Sequence, residues 1–188
     1  MFLLALDLST TVCGFAVFNS TTKAISETGF YRFKKEALLD KANELDTFLK
    51  RFMYGNQIDC VVIEERLKSF RAGGTNAEAM LKLASFNFLC QHLVVNKYNC
   101  QIRELNVNTA RKLCFPNFHS AARKVTSKQK EFAFELAIQT FTDVVFPKKI
   151  MKSGKRKGEE VFVDEARDIA DAVILGTAAI HQLGNVSN

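Results

Sequence analysis

Phe2-Leu3-Leu4-Ala5-Leu6-Asp7-Leu8-Ser9-Thr10-Thr11-Val12-Cys13-Gly14-Phe15-Ala16-Val17-Phe18 is the stretch on which the reading of this chain turns. Phe2–Leu8 is a short, almost wholly apolar run, the pattern of a strand buried on both faces. Ser9-Thr10-Thr11 supplies a turn, and Gly14–Phe18 reads as a second strand reversing on the first. The anomaly is Asp7. A carboxylate delivered by an apolar strand is costly to bury unless a cation neutralises it.

Working outward, Ala24–Phe33 offers a third strand. Lys34–Met53 then switches to helical period, with Leu38, Leu45, Leu49 and Phe52 on one stripe. Ile58–Ile63 is another buried strand and ends in Glu64-Glu65. Arg66–Thr75 is a polar loop containing Gly73-Gly74, Asn76–Val95 a long apolar helix, and Gln101–Leu105 a short strand. Thr109–Leu113 and Lys128–Phe141 read as helices, Pro147–Gly158 as a basic loop, and about Asp164–Leu183 as the last helix. Three strands that reverse on one another, followed by strands separated by helices, predict an α/β fold. Its five-stranded mixed sheet is antiparallel over three strands, then parallel, and flanked by helices. With 188 residues and no visible linker or repeat, residues 1–188 are expected to form one domain.

Composition narrows the function. Hydrophobic residues make up 47% of the chain against 2 prolines, which excludes a disordered chain. No apolar run approaches the roughly 20 residues of a membrane span. The start has no basic segment ahead of its apolar one, so the expectation is an intracellular, soluble protein without a membrane partner. The five cysteines show no C-x-x-C pairing, and the three histidines are scattered singly, which speaks against a disulfide framework or zinc site. The formal charge is +6, and thirteen of the 26 basic residues fall in Gln101–Lys130 and Pro147–Glu160. Clusters of this kind fit phosphate binding with a strong salt dependence, although charge runs are also what solvated loops carry.

The acids converge in an informative way. Asp7 ends the first strand and Glu64 the fourth, at the strand ends where open α/β sheets build their sites. Asp164, Asp168 and Asp171 stand at i, i+4 and i+7 of the last helix and share one stripe. Such a stripe also suits a solvated helix face. Hard carboxylate oxygens suit Mg²⁺ or Mn²⁺, and a pair of such ions supports in-line phosphodiester hydrolysis. The Glu64-Glu65 pair is ambiguous. Strand side chains alternate, Cys60 and Val62 share a face with Glu64, Val61 and Ile63 share the other with Glu65, and all four are apolar.

Leu4-Ala5-Leu6-Asp7-Leu8-Ser9-Thr10-Thr11-x-x-Gly14 resembles the first strand of the RNase H-like superfamily. Within it, Val62-Ile63-Glu64-Glu65, Asn76-Ala77-Glu78-Ala79-Met80-Leu81-Lys82-Leu83 and Asp168-Ile169-Ala170-Asp171-Ala172-Val173 resemble the RuvC-like Holliday junction resolvases in order and spacing. The likeness runs from Leu3 to about Ala179. It implies an RNase H-like fold whose metal-binding carboxylates fall on Asp7, Glu64, Asp168 and Asp171, and it selects Glu64 over Glu65. It implies a Mg²⁺-dependent endodeoxyribonuclease, with Mn²⁺ able to substitute and two ions per site. The enzyme would act as a homodimer that nicks four-way DNA junctions symmetrically, with dimer contacts on the Asn76–Val95 helix. It also places a lysine at the start of the helix before the basic loop, making Lys130 the first choice and Lys128 the second.

The DNA contacts expected on this reading are Arg66, Lys68 and Arg71 just past Glu64, Arg111 and Lys112, Lys128, and Lys152, Lys155, Arg156 and Lys157 of the basic loop. Family members often carry a junction-stacking aromatic shortly after the catalytic Glu. The nearest match here is Leu67, and Phe70 is the neighbouring aromatic. The long basic loop points to the phage or large-DNA-virus branch. Alternatives are an RNase H-like nuclease acting on RNA or flap DNA, and a non-catalytic nucleic-acid-binding relative. An actin-like or sugar-kinase ATPase would share the Asp7–Thr11 loop but needs a duplicated domain and a second glycine-rich loop.

Overall fold

The structure, a computed structural model, describes residues 2–55, 58–65, 77–118 and 129–184. Strands β1 (Phe2–Leu8), β2 (Val12–Asn19) and β3 (Ile25–Arg32) form an antiparallel meander, followed by helix α1 (Leu38–Gly55) and strand β4 (Ile58–Glu64). Helix α2 (Ala77–His92) runs into a π-helical turn, Leu93–Lys97, before strand β5 (Gln101–Leu105) and helix α3 (Val107–Cys114). Helix α4 (Gln129–Thr140), strands β6 (Lys148–Ile150) and β7 (Glu160–Phe162), and helix α5 (Glu165–Gly184) complete the described chain. The main sheet has the order β3-β2-β1-β4-β5, with β1, β4 and β5 parallel and the other pairs antiparallel. The mixed five-stranded α/β sheet expected from the sequence is therefore the one observed.

Strand alternation divides the core. Leu3, Ala5, Ala16, Phe18, Cys60 and Val62 pack under α3, α4 and α5, while Leu4, Leu6, Phe15, Val17, Val61 and Ile63 pack under α1 and α2. Burying a side chain such as Phe18 contributes about 1.5–3 kcal/mol. Ser9 makes the β1–β2 turn: its Oγ accepts the Val12 N–H at 2.9 Å and donates to the Val12 carbonyl at 2.8 Å. The turn sets Asp7 opposite Gly14 across the pair.

Three details depart from the sequence expectation. The basic loop is framed by a β-hairpin, with Lys148, Lys149 and Ile150 paired to Phe162, Val161 and Glu160. Helix α3 begins two residues before Thr109, because the Asn106 side chain accepts the N–H groups of Asn108 and Thr109 and so caps it. Helix α1 starts at Leu38, after a polar approach in which Glu44 accepts the backbone N–H groups of Lys34 and Lys35. No helix of the described residues is long and apolar enough to cross a membrane.

Candidate active site

Parity along the strands settles which face each acid takes. Asp7 follows Leu3 and Ala5, and Glu64 follows Cys60 and Val62, so both lie on the face covered by α5. The parallel pairing brings Leu6 beside Ile63, which leaves Asp7 and Glu64 as neighbours at the adjoining strand ends. Glu65 lies past the strand. Its backbone N–H donates to the Leu105 carbonyl at 2.9 Å, and its carboxylate accepts from Asn106 Nδ2 at 3.4 Å.

The helix acids reach the same place because β2 has a glycine opposite Asp7. A Cβ on Gly14 would lie 2.1 Å from the Asp168 carbonyl oxygen, so the first turns of α5 rest directly on the strand. That contact sets Asp168 and Asp171, one turn apart, beside Asp7. Further along the same helix Gly176 accommodates the Phe18 ring, which a Cβ would meet at 2.1 Å. Asp164 is excluded. Its side chain is 95% exposed and pairs with Arg167 at 3.7 Å, away from the cluster.

Two cations complete the group. Lys130, from the first turn of α4, places Nζ 3.5 Å from Asp168 Oδ1 and 3.4 Å from Asp171 Oδ2. Arg111, from α3, donates through Nη2 to Asp171 Oδ1 at 3.1 Å, with both side chains at most one-tenth exposed. Its guanidinium also lies 5.8 Å from the centre of the Phe118 ring.

The electrostatics are those of a crowded anionic site. Burial pushes Asp7 well above the usual aspartate range, and Asp171, Asp168 and Glu64 push the same way while Lys130 opposes them. Glu64 is raised by burial and by Asp171, against Arg111 and Lys130. Burial raises Asp168 as well, partly offset by Lys130. Burial works against the charged form of Lys130, but Asp171, Asp7 and Asp168 together hold its pKa up.

Four carboxylates against two cations leave two negative charges in excess at the edge of a low-dielectric core. An all-oxygen donor set with that deficit fits a hard divalent cation. Among the described residues no three acidic, histidine or cysteine side chains close around one point tightly enough to hold an ion as they stand. Lys130 and Arg111 are the groups that engage the helix acids.

The expected DNA contacts divide into three sets. Lys112 is exposed on α3, and Lys152, Lys155, Arg156 and Lys157 are exposed around the hairpin tip, where Arg156 Nε pairs with Glu159 at 2.6 Å. Arg66, Lys68, Phe70, Arg71 and Lys128 lie outside the described residues. Arg111 stands apart from both. Expected on the DNA-facing surface, it is 8% exposed and committed to Asp171, because α3 packs its inner face against α5. Its place in the acid cluster was missed from sequence, and the available signal was Ala110-Arg111 on the apolar side of a short amphipathic helix. Beside Glu64 and Glu65 a pocket of about 110 Å³ opens toward Met80, Leu83 and Asn87 of α2.

An antiparallel meander continued by two parallel strands and closed by a long helix is a fold shared with solved Holliday junction resolvases. Solved structures of that class superpose on nearly the entire chain. Thermus thermophilus RuvC in complex with Holliday junction substrate matches with a TM-score of 0.63 at 10% identity, covering 98% of this chain and 96% of that one. The yeast mitochondrial Holliday junction resolvase Ydc2 matches at 0.59 and 12% identity, covering 98% and 80%. The fowlpox virus Holliday junction resolvase matches at 0.55 and 13% identity, covering 97% and 99%. No protein-family model and no curated protein matches the sequence. At these identities the likeness is one of fold, and it includes a viral member.

Proposed function

We propose that this chain is a divalent-metal-dependent endonuclease that resolves four-way DNA junctions. The observation that carries the reading is the meeting of Asp7, Glu64, Asp168 and Asp171, from three separate elements, on a fold shared end to end with junction resolvases. These four side chains would hold Mg²⁺, with Mn²⁺ an acceptable substitute. Two bound ions would supply charge neutralisation for the attacking and leaving oxygens of an in-line displacement. The chain's own groups do the rest. Asp171 is buried and Asp7, Glu64 and Asp168 are part-buried where α5 meets the strand ends, which strengthens each charge interaction there relative to bulk water. Lys130 is half-exposed at the mouth of the cluster, where its ammonium can meet a scissile phosphate as negative charge develops on it.

Two surfaces support a branched substrate and paired nicks. On α2 and its π-helical extension, Leu81, Phe88 and Val95 recur every seven residues and are 62%, 59% and 45% exposed. An exposed apolar stripe of this kind fits a two-fold contact with a second copy, which would present two sites to two strands. The β6–β7 hairpin carries Lys149, Lys152, Lys155, Arg156 and Lys157 away from the cluster, suited to phosphates along a duplex arm.

The decisive experiment incubates the protein with a synthetic four-way junction, a flap, an RNA–DNA hybrid and a linear duplex, each with and without Mg²⁺. Metal-dependent paired nicks in the junction alone are expected. Preferential cutting of the flap or hybrid would reassign the substrate, and cutting that survives excess chelator would remove the metal. Replacing Lys152, Lys155, Arg156 and Lys157 together by Ala should reduce the slope of log affinity against log salt by roughly 2–4 for B-form arms, measured by titration at several salt concentrations. An unchanged slope would return the hairpin to ordinary solvated surface.

A further inference from the structure

Asp171 has a different cation on each of its two oxygens. Oδ1 takes the Arg111 guanidinium at 3.1 Å, and Oδ2 takes the Lys130 ammonium at 3.4 Å. The two partners are not equivalent. Arg111 is buried and faces the Phe118 ring. Among the described residues its Nε has no hydrogen-bond partner, and its Nη2 is directed at Asp171. Lys130 is 53% exposed on a flexible four-carbon stem, and it straddles Asp168 Oδ1 and Asp171 Oδ2 at 3.5 and 3.4 Å. Locked charge-assisted bonds run to roughly 2.7–2.9 Å, so this ammonium is loosely held by several acids.

We infer that Arg111 is a positioning residue that permanently fixes Asp171 through Oδ1, and that Lys130 is an exchangeable ammonium which a divalent cation displaces from Asp168 and Asp171. The inference rests on the metal-dependent reading above and adds the order of events within the site. In the metal-free protein, Lys130 is a monovalent substitute that limits repulsion among carboxylates which Asp7 and Glu64 would otherwise make worse. A divalent ion offers the same oxygens twice the charge, so its entry and the release of the ammonium are one exchange. Arg111 cannot take part in that exchange. Both groups are desolvated, and removing one would leave a buried charge without a partner. Its role is to hold Asp171 so that Oδ2, and not Oδ1, is the oxygen given up.

The test is calorimetric titration of the full chain with Ca²⁺ in the absence of DNA, for wild type, Lys130→Met, Arg111→Met and Arg111→Lys, with melting curves alongside. Lys130→Met removes the competitor and should bind Ca²⁺ about tenfold more tightly. Arg111→Met should bind it several-fold more weakly, although it too removes a positive charge. If Arg111→Met fails to fold, Arg111→Lys serves instead: it keeps the charge, loses the planar fork, and should still weaken binding. The opposite signs carry the result. Tighter binding in both the Lys130 and Arg111 variants, or no change in Lys130→Met, would overturn the inference while leaving the metal-dependent function intact. Absence of Ca²⁺ binding by wild type and by all variants would remove the metal reading and this inference together. A crystal structure with Ca²⁺ gives a second check. The Lys130 Nζ should lie beyond hydrogen-bond reach of both aspartates, and an ammonium still in place beside the bound ion would also overturn it.

Discussion

Two part-buried aspartates, at different places in the same molecule, show how surroundings decide what a charge is for. Asp46 lies on α1, and its side chain is 13% exposed. Lys97 Nζ stands 2.7 Å from its Oδ2, Lys50 Nζ 3.2 Å from the same oxygen, and the Tyr98 hydroxyl donates to Oδ1 at 2.7 Å. Burial raises Asp46, but these bonds more than compensate and hold it below the usual range. Asp7 has the same side chain and the opposite balance, with burial reinforced by three other acids and one cation against them. The first arrangement ties α1 to the turn after α2. The second concentrates like charge at the strand ends. Saturated charge is structural, and unsaturated charge is available for chemistry.

The largest effect that would test this contrast is on catalysis. Glu64→Gln should reduce cleavage by at least about a hundredfold in single-turnover assays with saturating Mg²⁺, with junction binding retained. Glu65→Gln should keep substantial activity, as should Asp164→Asn. Greater damage from Glu65→Gln would show that the strand end has been assigned one residue out.

Next in size is the seat of α5. Gly14→Ala drives a Cβ into the Asp168 backbone and should cost both activity and stability, roughly 1–3 kcal/mol by overpacking. Gly176→Ala meets the Phe18 ring instead and should lower the melting temperature with less loss of cleavage. Equal kinetic damage from both would mean that the helix moves as a rigid rod.

The most diagnostic effect is the response of stability to pH in chelator. Asp7 has a folded pKa above its ordinary value of 3.8, so the folded state holds its proton where the unfolded chain has lost it. Its favourable contribution is complete below that value and is lost as pH rises through the folded pKa. Asp7→Asn should therefore flatten the fall in melting temperature between pH 3.8 and that folded pKa. For Asp46 the sign reverses. Its contribution is present above 3.8 and is lost as pH falls through the depressed folded pKa, so Asp46→Asn should lower stability at neutral pH and remove that acid-side loss. The smallest expected change is in Tyr98→Phe, which deletes the hydroxyl shared between Asp46 Oδ1 and the Asp46 carbonyl at a cost of about 1 kcal/mol and leaves cleavage unaffected.

Much of the frame was legible because local pattern and tertiary packing agree in it. The apolar run into Asp7, the reversal at Ser9–Thr11 and the periodicity of the last helix all lie in elements buried on the faces their sequence suggests. The choice between Glu64 and Glu65 was not legible from local pattern, because both faces of β4 are apolar. The family resemblance selects Glu64, and the partners of Cys60 and Val62 in the folded core place that side chain on the face covered by α5. The hairpin was read as a loop because its strands are three residues long and lysine-rich, without a hydrophobic period to betray pairing. Arg111 looked like surface charge for a related reason: nothing within Val107–Cys114 says that its partner stands sixty residues away on α5.

The contact at Gly14 changes how tolerance to substitution would be distributed along this chain. A survey of all replacements would be expected to mark position 14 as intolerant as the acids, although it contributes no atom to binding an ion or a phosphate. The site depends there on a missing side chain, on vacant space as much as on functional groups. At this position alanine, elsewhere the mildest of changes, is already one carbon too many.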